Sequence, residues 1–276
     1  MSTILQISDT HFGTEVPNVT RALLELSHSL SPELLVLSGD VTQRARRRQF
    51  EAAARFVKMT RVSNVLCIPG NHDIPLFAPY TRLFRPYAHY ARAFGTELEP
   101  VFESERLLVQ GVNTTRWFRH KHGEISEEQI VRVAQRLARA KPEQLRVVVT
   151  HQPLLAIRER DDNNLLRGHA RATQAFLRAG VDVFLGGHIH LPYVRPLPAA
   201  ESGMPSRAWV VQAGTAVSHR IREGGANSVN VLHYADGGPA SCEVERWDYT
   251  PAVDRFVPVM RAPLQLERTR ECSASL

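Results

Sequence analysis

Two histidines one residue apart, His188 and His190, follow the apolar run Val183-Phe184-Leu185, which breaks at Gly186-Gly187. Imidazole nitrogens bind divalent cations well, and Asp or Asn oxygens complete such sites. The chain offers that combination repeatedly. Ile4-Leu5-Gln6-Ile7-Ser8 ends in Asp9-Thr10-His11, and Leu34-Leu35-Val36-Leu37-Ser38 ends in Gly39-Asp40. Val65-Leu66-Cys67-Ile68 ends in Pro69-Gly70-Asn71-His72-Asp73, and Val147-Val148-Val149-Thr150 ends in His151. Alternate side chains of an extended segment point the same way, so a strand continued through Ile189 would turn His188 and His190 into one pocket. Mixed nitrogen and oxygen donors with no thiolate suit Mn, Fe or Zn.

The elements that must position these residues follow from the same runs. Near-continuous Val, Ile and Leu are the mark of strands covered on both faces, and in such sheets ligands gather outside the carboxyl ends of the strands. Five strand ends are therefore expected at one crevice. Between Asp9 and Asp40, the residues Val19, Leu23, Leu26 and Leu30 share one helical face, which predicts a crossover helix. Phe50, Ala53, Ala54 and Val57 keep helical spacing after the Asp40 loop. Ser126 and Gln129 have capping-box spacing ahead of the stripe Ile130, Val133, Ala134 and Leu137. A short helix is expected over 170–179, ending at Gly180. Strands are expected at 207–212, 228–234 and 241–247 with no helix between them, which implies two sheets, one partly antiparallel.

Taken in order, Asp9/His11, Gly39-Asp40, Gly70-Asn71-His72-Asp73, His151 and Gly187-His188-Ile189-His190 make up the pattern D-x-H, G-D, G-N-H-(D/E), H and G-H-x-H. This ordered set resembles the calcineurin-like metallophosphoesterases and covers most of the chain. The resemblance implies an α/β fold, a four-layer α/β/β/α sandwich of two mixed β-sheets. It places Asp40 as a catalytic bridge between two divalent or mixed-valence ions. Asp9, His11 and His190 complete one metal, and Asn71, His151 and His188 the other. It further implies in-line attack on phosphorus by a hydroxide held between the ions, with His72 protonating the leaving oxygen. Some relatives pair that histidine with an acid three residues beyond the bridging aspartate; Gln43 stands there, so something else must orient His72. Gln152 replaces a second histidine common after His151, and Asp73 is expected to support the ligands rather than join them. The stretch Gln212-Ala213-Gly214-Thr215-Ala216 with Ser218-His219-Arg220-Ile221-Arg222 is similar to a strand-loop of the bacterial class III cyclic-nucleotide phosphodiesterases. Arg220 and Arg222 there either contact phosphate or form salt bridges.

Composition bounds what remains. With 276 residues, 43% of them hydrophobic, the chain supports a large core. We expect a catalytic domain over 1–250 and a C-terminal extension over 251–276, mobile or at the interface of a homodimer. A charge of +6 and a pI near 9.6 favour anionic partners, but no separate nucleic-acid-binding module is visible. Arg44, Arg46, Arg47 and Arg48 read mainly as a solvated face. Three cysteines without C-x-x-C spacing argue against a disulfide framework. No apolar run is long enough to span a membrane, and the first block begins at once after Met1-Ser2-Thr3, so the expected location is cytoplasmic or peripheral to the inner membrane. The segment 74–94 interleaves Phe77, Tyr80, Phe84, Tyr87 and Tyr90 with Arg82, Arg85 and Arg92, either as an ordinary packed segment or as a lid beside the site. The expected substrate is a small anionic phosphodiester such as a 3′,5′-cyclic nucleotide. The alternative is a lipid-linked nucleotide of the UDP-2,3-diacylglucosamine type, cleaved at its pyrophosphate.

Overall fold

The apolar runs become the central strands because they are covered on both sides. A computed structural model describes residues 1–197, 208–222, 224–235 and 241–266. The chain runs β1 Ser2–Ile7, α1 Pro17–Leu30, β2 Leu34–Ser38, α2 Arg47–Met59, β3 Val65–Ile68, α3 Pro79–Phe84, α4 Ala88–Phe94, β4 Val101–Glu103 and β5 Leu107–Gly111. It continues through α5 Glu127–Ala138, β6 Leu145–Val149, α6 His169–Arg178, β7 Val183–Gly186, β8 Tyr193–Pro196, β9 Trp209–Gln212, β10 Ser228–Ala235, β11 Ser241–Thr250 and β12 Arg255–Gln265. One sheet has the order β12-β11-β10-β1-β2-β3 and the other β4-β5-β6-β7-β9-β8. In the first, β1, β2 and β3 run parallel and β10 to β12 are antiparallel; in the second, β5, β6, β7 and β9 run parallel between antiparallel edges β4 and β8.

The two sheets face each other across a layer in which Ile4, Val36 and Ile68 of one pack near Val109, Val147 and Leu185 of the other. Helices α1 and α2 cover the outer face of the first sheet through Leu23, Leu26, Phe50 and Phe56. Helices α5 and α6 cover the second through Ile130, Val133, Leu137 and Phe176. Each such buried side chain contributes about 1.5–3 kcal/mol relative to leaving it in water. The result is the expected α/β/β/α sandwich of two mixed sheets. Its register puts the carboxyl ends of β1, β2 and β3 opposite those of β6 and β7, so one crevice receives loops from both sheets.

Local signals hold where they are self-contained. The Gln129 N–H donates to Ser126 Oγ (3.3 Å) and the Ser126 N–H to Gln129 Oε1 (2.9 Å), closing the expected capping box. On α2 the buried stripe is Phe50, Ala53 and Phe56, while Ala54 and Val57 are half-buried. Strands β4, β5, β8 and β12 lie outside the expected set. The segment from 251, expected as an extension, continues the first sheet: β12 pairs antiparallel with β11 from Arg255 to Gln265. Its apolar periodicity is weak because it is an edge strand, where Pro258 and Pro263 are tolerated and only Phe256 and Leu264 are buried. Residues 267–276 of that tail lie outside the described residues. The extended path expected through His190 also fails, since β7 stops at Gly186.

Segment 74–94 is packed in its second half and exposed in its first. In α4, Tyr90 is buried and its hydroxyl donates to the Cys67 carbonyl (2.7 Å). In α3 no side chain is buried, and Phe77 and Phe84 are 77% and 62% exposed. No helix among the described residues is long and apolar enough to cross a membrane.

Candidate metal centre

Each ligand-capable residue sits just past a strand end. Asp9 and His11 follow β1, Asp40 follows β2, Asn71 and His72 occupy a single 3-10 turn after β3, His151 follows β6, and His188 and His190 follow β7. Asp9, His11, Asp40 and His151 are buried, while Asn71, His72, His188 and His190 are half-buried toward the crevice. Their ligating atoms gather into overlapping groups: Asp9, His11 and His190; Asp40, His151 and His188; and His11, Asp40 and His72. Asn71 Oδ1 is 3.3 Å from His151 Nε2, beside the second group.

The backbone makes this convergence possible in a way that strand alternation does not. Asp9, His11, Asp40, His188 and His190 all have positive φ, between 44° and 72°. Left-handed backbone costs a non-glycine residue about 1–2 kcal/mol, so the loops are held there by what surrounds them. Asp73 is one such restraint. Its carboxylate accepts from the Val41 N–H (3.0 Å), the Thr42 N–H and hydroxyl (both 2.8 Å) and the Gly70 N–H (2.9 Å), fastening the loop after β2 to the loop after β3. The loops also approach very closely. A Cβ on Gly70 would lie 2.1 Å from the Asp40 nitrogen, and one on Gly39, where φ is +97°, would lie 2.3 Å from His151 Nδ1.

Hydrogen bonds fix which imidazole nitrogen faces inward. His151 Nδ1 donates to the Ser38 carbonyl (2.9 Å), leaving Nε2 at 3.3 Å from Asp40 Oδ1. His190 Nδ1 donates to the Arg220 carbonyl (2.5 Å), leaving Nε2 at 3.2 Å from Asp9 Oδ1 and 3.1 Å from His11 Nε2. A backbone carbonyl behind the ring is a usual way of presenting an imidazole to a metal. Asp9 Oδ1 and His188 Nε2 are buried with no hydrogen-bond partner among the described residues. Such atoms are rare without a reason, and a cation supplies one. The donor set therefore fits divalent ions.

The charges support the same reading. Burial by itself would raise the Asp40 carboxyl, but His151 and His72 beside it hold it well below the carboxylate range. Asp9 is likewise lowered, burial being outweighed by His190. Burial pushes His11 and His188 down to about 3, keeping both rings neutral and able to donate a lone pair. Burial also opposes charge on His151, yet Asp40 lifts it to about 9, so a metal at that ring must displace a proton. Asp73 is raised to about 6 by burial and by Asp40, against its hydrogen bonds.

Above the ligands lies a pocket of about 390 Å³, lined by Asp40, Asn71, His72, His188, His190 and Arg220, and further by His120, Lys121, Asp161, Asn164, Ile189 and Arg222. None of the aromatic residues of 74–94 lines it. Gln43 does not leave His72 without a partner: His72 Nδ1 donates to the Gln43 backbone carbonyl (2.9 Å), an acceptor any residue there would offer. Gln152 is buried, its Oε1 accepting from the Thr114 hydroxyl and its amide donating to the Lys121 carbonyl. It thereby anchors the loop that carries His120 and Lys121 to the pocket, residues whose one sequence signal is the basic run Arg119-His120-Lys121-His122. Arg222 pairs with Asp161 (3.1 Å) and donates to the Ile189 carbonyl (3.1 Å), while His219 is exposed and takes no part. Arg44 stands over the Phe77 ring at 5.3 Å; Arg46, Arg47 and Arg48 are exposed, as expected of a solvated face.

Comparison with known proteins follows the same lines. The family model described as calcineurin-like phosphoesterase matches residues 2–192. A dimetal phosphatase from Danio rerio superposes with a TM-score of 0.62 at 14% identity, over 96% of this chain and 99% of that one. A purple acid phosphatase from yellow lupin seeds gives 0.69 at 10% identity, over 96% of this chain and 54% of that one. Vps29 complexed with Zn²⁺ from Entamoeba histolytica gives 0.51 at 10% identity, over 95% and 99%. These likenesses establish the fold. A search of curated protein sequences returned no match.

Proposed function

The chain belongs to the calcineurin-like phosphoesterases, and on that premise we propose that it is a two-metal hydrolase of small anionic phosphodiesters, 3′,5′-cyclic nucleotides among them. Asp9, His11 and His190 would hold one ion, Asn71, His151 and His188 the other, and Asp40 would serve both. Two divalent cations so held would lower the pKa of a water and draw charge from the phosphoryl oxygens in an in-line displacement. The protein's own part is to keep His11 and His188 neutral, aim the imidazoles inward, and offer His72 to the leaving oxygen. Pinning Nδ1–H on the Gln43 carbonyl leaves Nε2 as the nitrogen of His72 on the side of the pocket.

The observation that carries the choice of substrate is the pocket. It is small, open and lined almost wholly by polar and charged side chains, which suits a compact anion better than acyl chains. One observation favours the lipid-linked reading: Phe77, Tyr80 and Phe84 stand in solvent on α3 and the turn before it, as an acyl-binding rim would. A panel on Mn-reconstituted protein separates the two. Bis(p-nitrophenyl) phosphate and 3′,5′-cyclic AMP should be turned over ahead of a UDP-diacylglucosamine in detergent micelles, and chelation should abolish all turnover. Preferential cleavage of the lipid, lost in Phe84→Ala while bis(p-nitrophenyl) phosphate hydrolysis survives, would transfer the assignment to the membrane-surface pyrophosphatase.

A further inference from the structure

Two arginines of one loop reach the pocket, and their surroundings differ. Arg222 is neutralised by Asp161 and capped by the Ile189 carbonyl. Arg220 has no carboxylate within salt-bridge distance among the described residues, although it is half-buried in the same wall. Its Nη1 donates to Gln43 Oε1 (2.9 Å) and faces His72 Nε2 at 3.3 Å. The Gln43 carbonyl behind His72 can only accept, so the ring proton of neutral His72 is on Nδ1 and its Nε2 is an acceptor for Arg220. The backbone of Arg220 is firmly set: its N–H donates to Ser218 Oγ (3.0 Å), and its carbonyl accepts from Thr215 Oγ1 (3.0 Å) and from His190 Nδ1 (2.5 Å).

We infer that Arg220 is the phosphoryl-binding residue of the pocket and the positioning residue for His72, exchanging one role for the other when substrate arrives. The inference rests on the phosphoesterase reading above and adds the residue that links substrate binding to the leaving group. An anionic phosphoryl oxygen is a much stronger acceptor for a guanidinium than a neutral imidazole nitrogen at 3.3 Å. The fork therefore turns from Nε2 to the substrate, while Gln43 Oε1 keeps hold of Nη1 and makes the movement short. Before that exchange the guanidinium covers Nε2. After it, Nε2 is uncovered toward the leaving oxygen, the place given to His72 in the reading above. Net, water adds across the breaking phosphorus–oxygen bond, its oxygen going to phosphorus and a proton to the leaving oxygen, so the step is balanced. An arginine suits both tasks because its planar fork presents several N–H groups at once; a lysine ammonium cannot bridge Gln43 and a phosphoryl oxygen in the same way.

The test compares Arg220→Ala and Arg220→Lys with the parent protein after Mn reconstitution. It measures metal content, the dissociation constant of inorganic phosphate by calorimetry, and kcat and KM on bis(p-nitrophenyl) phosphate and 3′,5′-cyclic AMP. Arg220→Ala should keep both metals and weaken phosphate about 10- to 100-fold, with KM raised on both esters. Its kcat should fall further on cyclic AMP, whose alkoxide needs a proton, than on p-nitrophenolate. Arg220→Lys should recover part of the phosphate affinity without the leaving-group selectivity. Unchanged phosphate affinity with equal kcat losses on the two esters would overturn the inference while leaving the hydrolase reading intact. A parent protein that hydrolyses neither ester yet binds phosphate through Arg220 would sink the hydrolase reading and sustain the phosphate contact. Loss of metal in both variants would overturn the inference too, by assigning the loop only to the support of His190.

Discussion

Asp9, His11, Asp40 and His151 on the floor of the crevice are buried and tied to strand ends of two sheets, whereas Phe77, Tyr80 and Phe84 on its rim stand in solvent. The floor holds five ligand-capable residues in left-handed backbone and packs its loops within reach of one another's main chain. On the rim, the Arg82 guanidinium donates to the Arg119 (2.6 Å) and Pro75 (3.3 Å) carbonyls, Arg44 stands over the Phe77 ring at 5.3 Å, and the Tyr80 and Phe84 rings meet at 4.7 Å. The difference is one of constraint: the loops of the floor depend jointly on one another's geometry, while the exposed rim makes few buried contacts and is freer to change.

If the floor acts as one unit, its shared member is the place to break it. Asp40→Ala should lower metal content at both positions, measured by elemental analysis, and reduce bis(p-nitrophenyl) phosphate hydrolysis by more than about 10³-fold. Retention of full metal content and rate would show that the floor is not one unit. His72→Ala probes the boundary between floor and pocket. It should keep both metals and lose about 10²- to 10⁴-fold in rate on esters with poor leaving groups, but much less on p-nitrophenyl esters, in steady-state kinetics. Equal losses on both would point to electrostatic action instead.

Asp73→Ala tests whether the floor is held by its own loops. It leaves the Val41, Thr42 and Gly70 N–H groups without their acceptor, and should cost about 2–4 kcal/mol in denaturant unfolding of the metal-free protein. A change below 0.5 kcal/mol, the usual range for exposed positions, would contradict it.

A pH series sharpens the comparison, because the floor holds His151, whose titration its neighbours displace. The pKa of His151 is raised from 6.5 to about 9, so its contribution to the stability of the metal-free protein is complete below 6.5 and is lost as pH rises through 9. Over the same window Mn affinity should rise, since the metal no longer competes with that proton. Thermal melts and Mn titrations across this range should therefore slope in opposite directions; parallel slopes would remove His151 from the metal. The smallest effect belongs to the rim. Phe84→Ala should change stability by no more than about 0.5 kcal/mol and leave hydrolysis of small diesters unaltered.

Much of the floor is legible in the sequence because its signals are local. Each block is an apolar run ending in a donor, and the capping box at Ser126 and Gln129 and the stripe of α1 need only their own neighbours. The rest depends on residues far apart in the chain. Left-handed backbone at His188 and His190 has no sequence mark comparable to glycine, and it replaces the strand alternation that composition invites. The partner of His72 is a backbone carbonyl, which no side-chain pattern encodes, and Arg220 lies 148 residues from His72. β12 escapes notice because an edge strand needs little apolar periodicity. The sequence by itself determined which donors exist and that they end strands, since side-chain chemistry and hydrophobic runs are properties of short segments. Tertiary structure decided which nitrogen of each ring faces inward and which of the two pocket arginines has no carboxylate partner among the described residues, because both depend on groups brought together only when the two sheets close on each other.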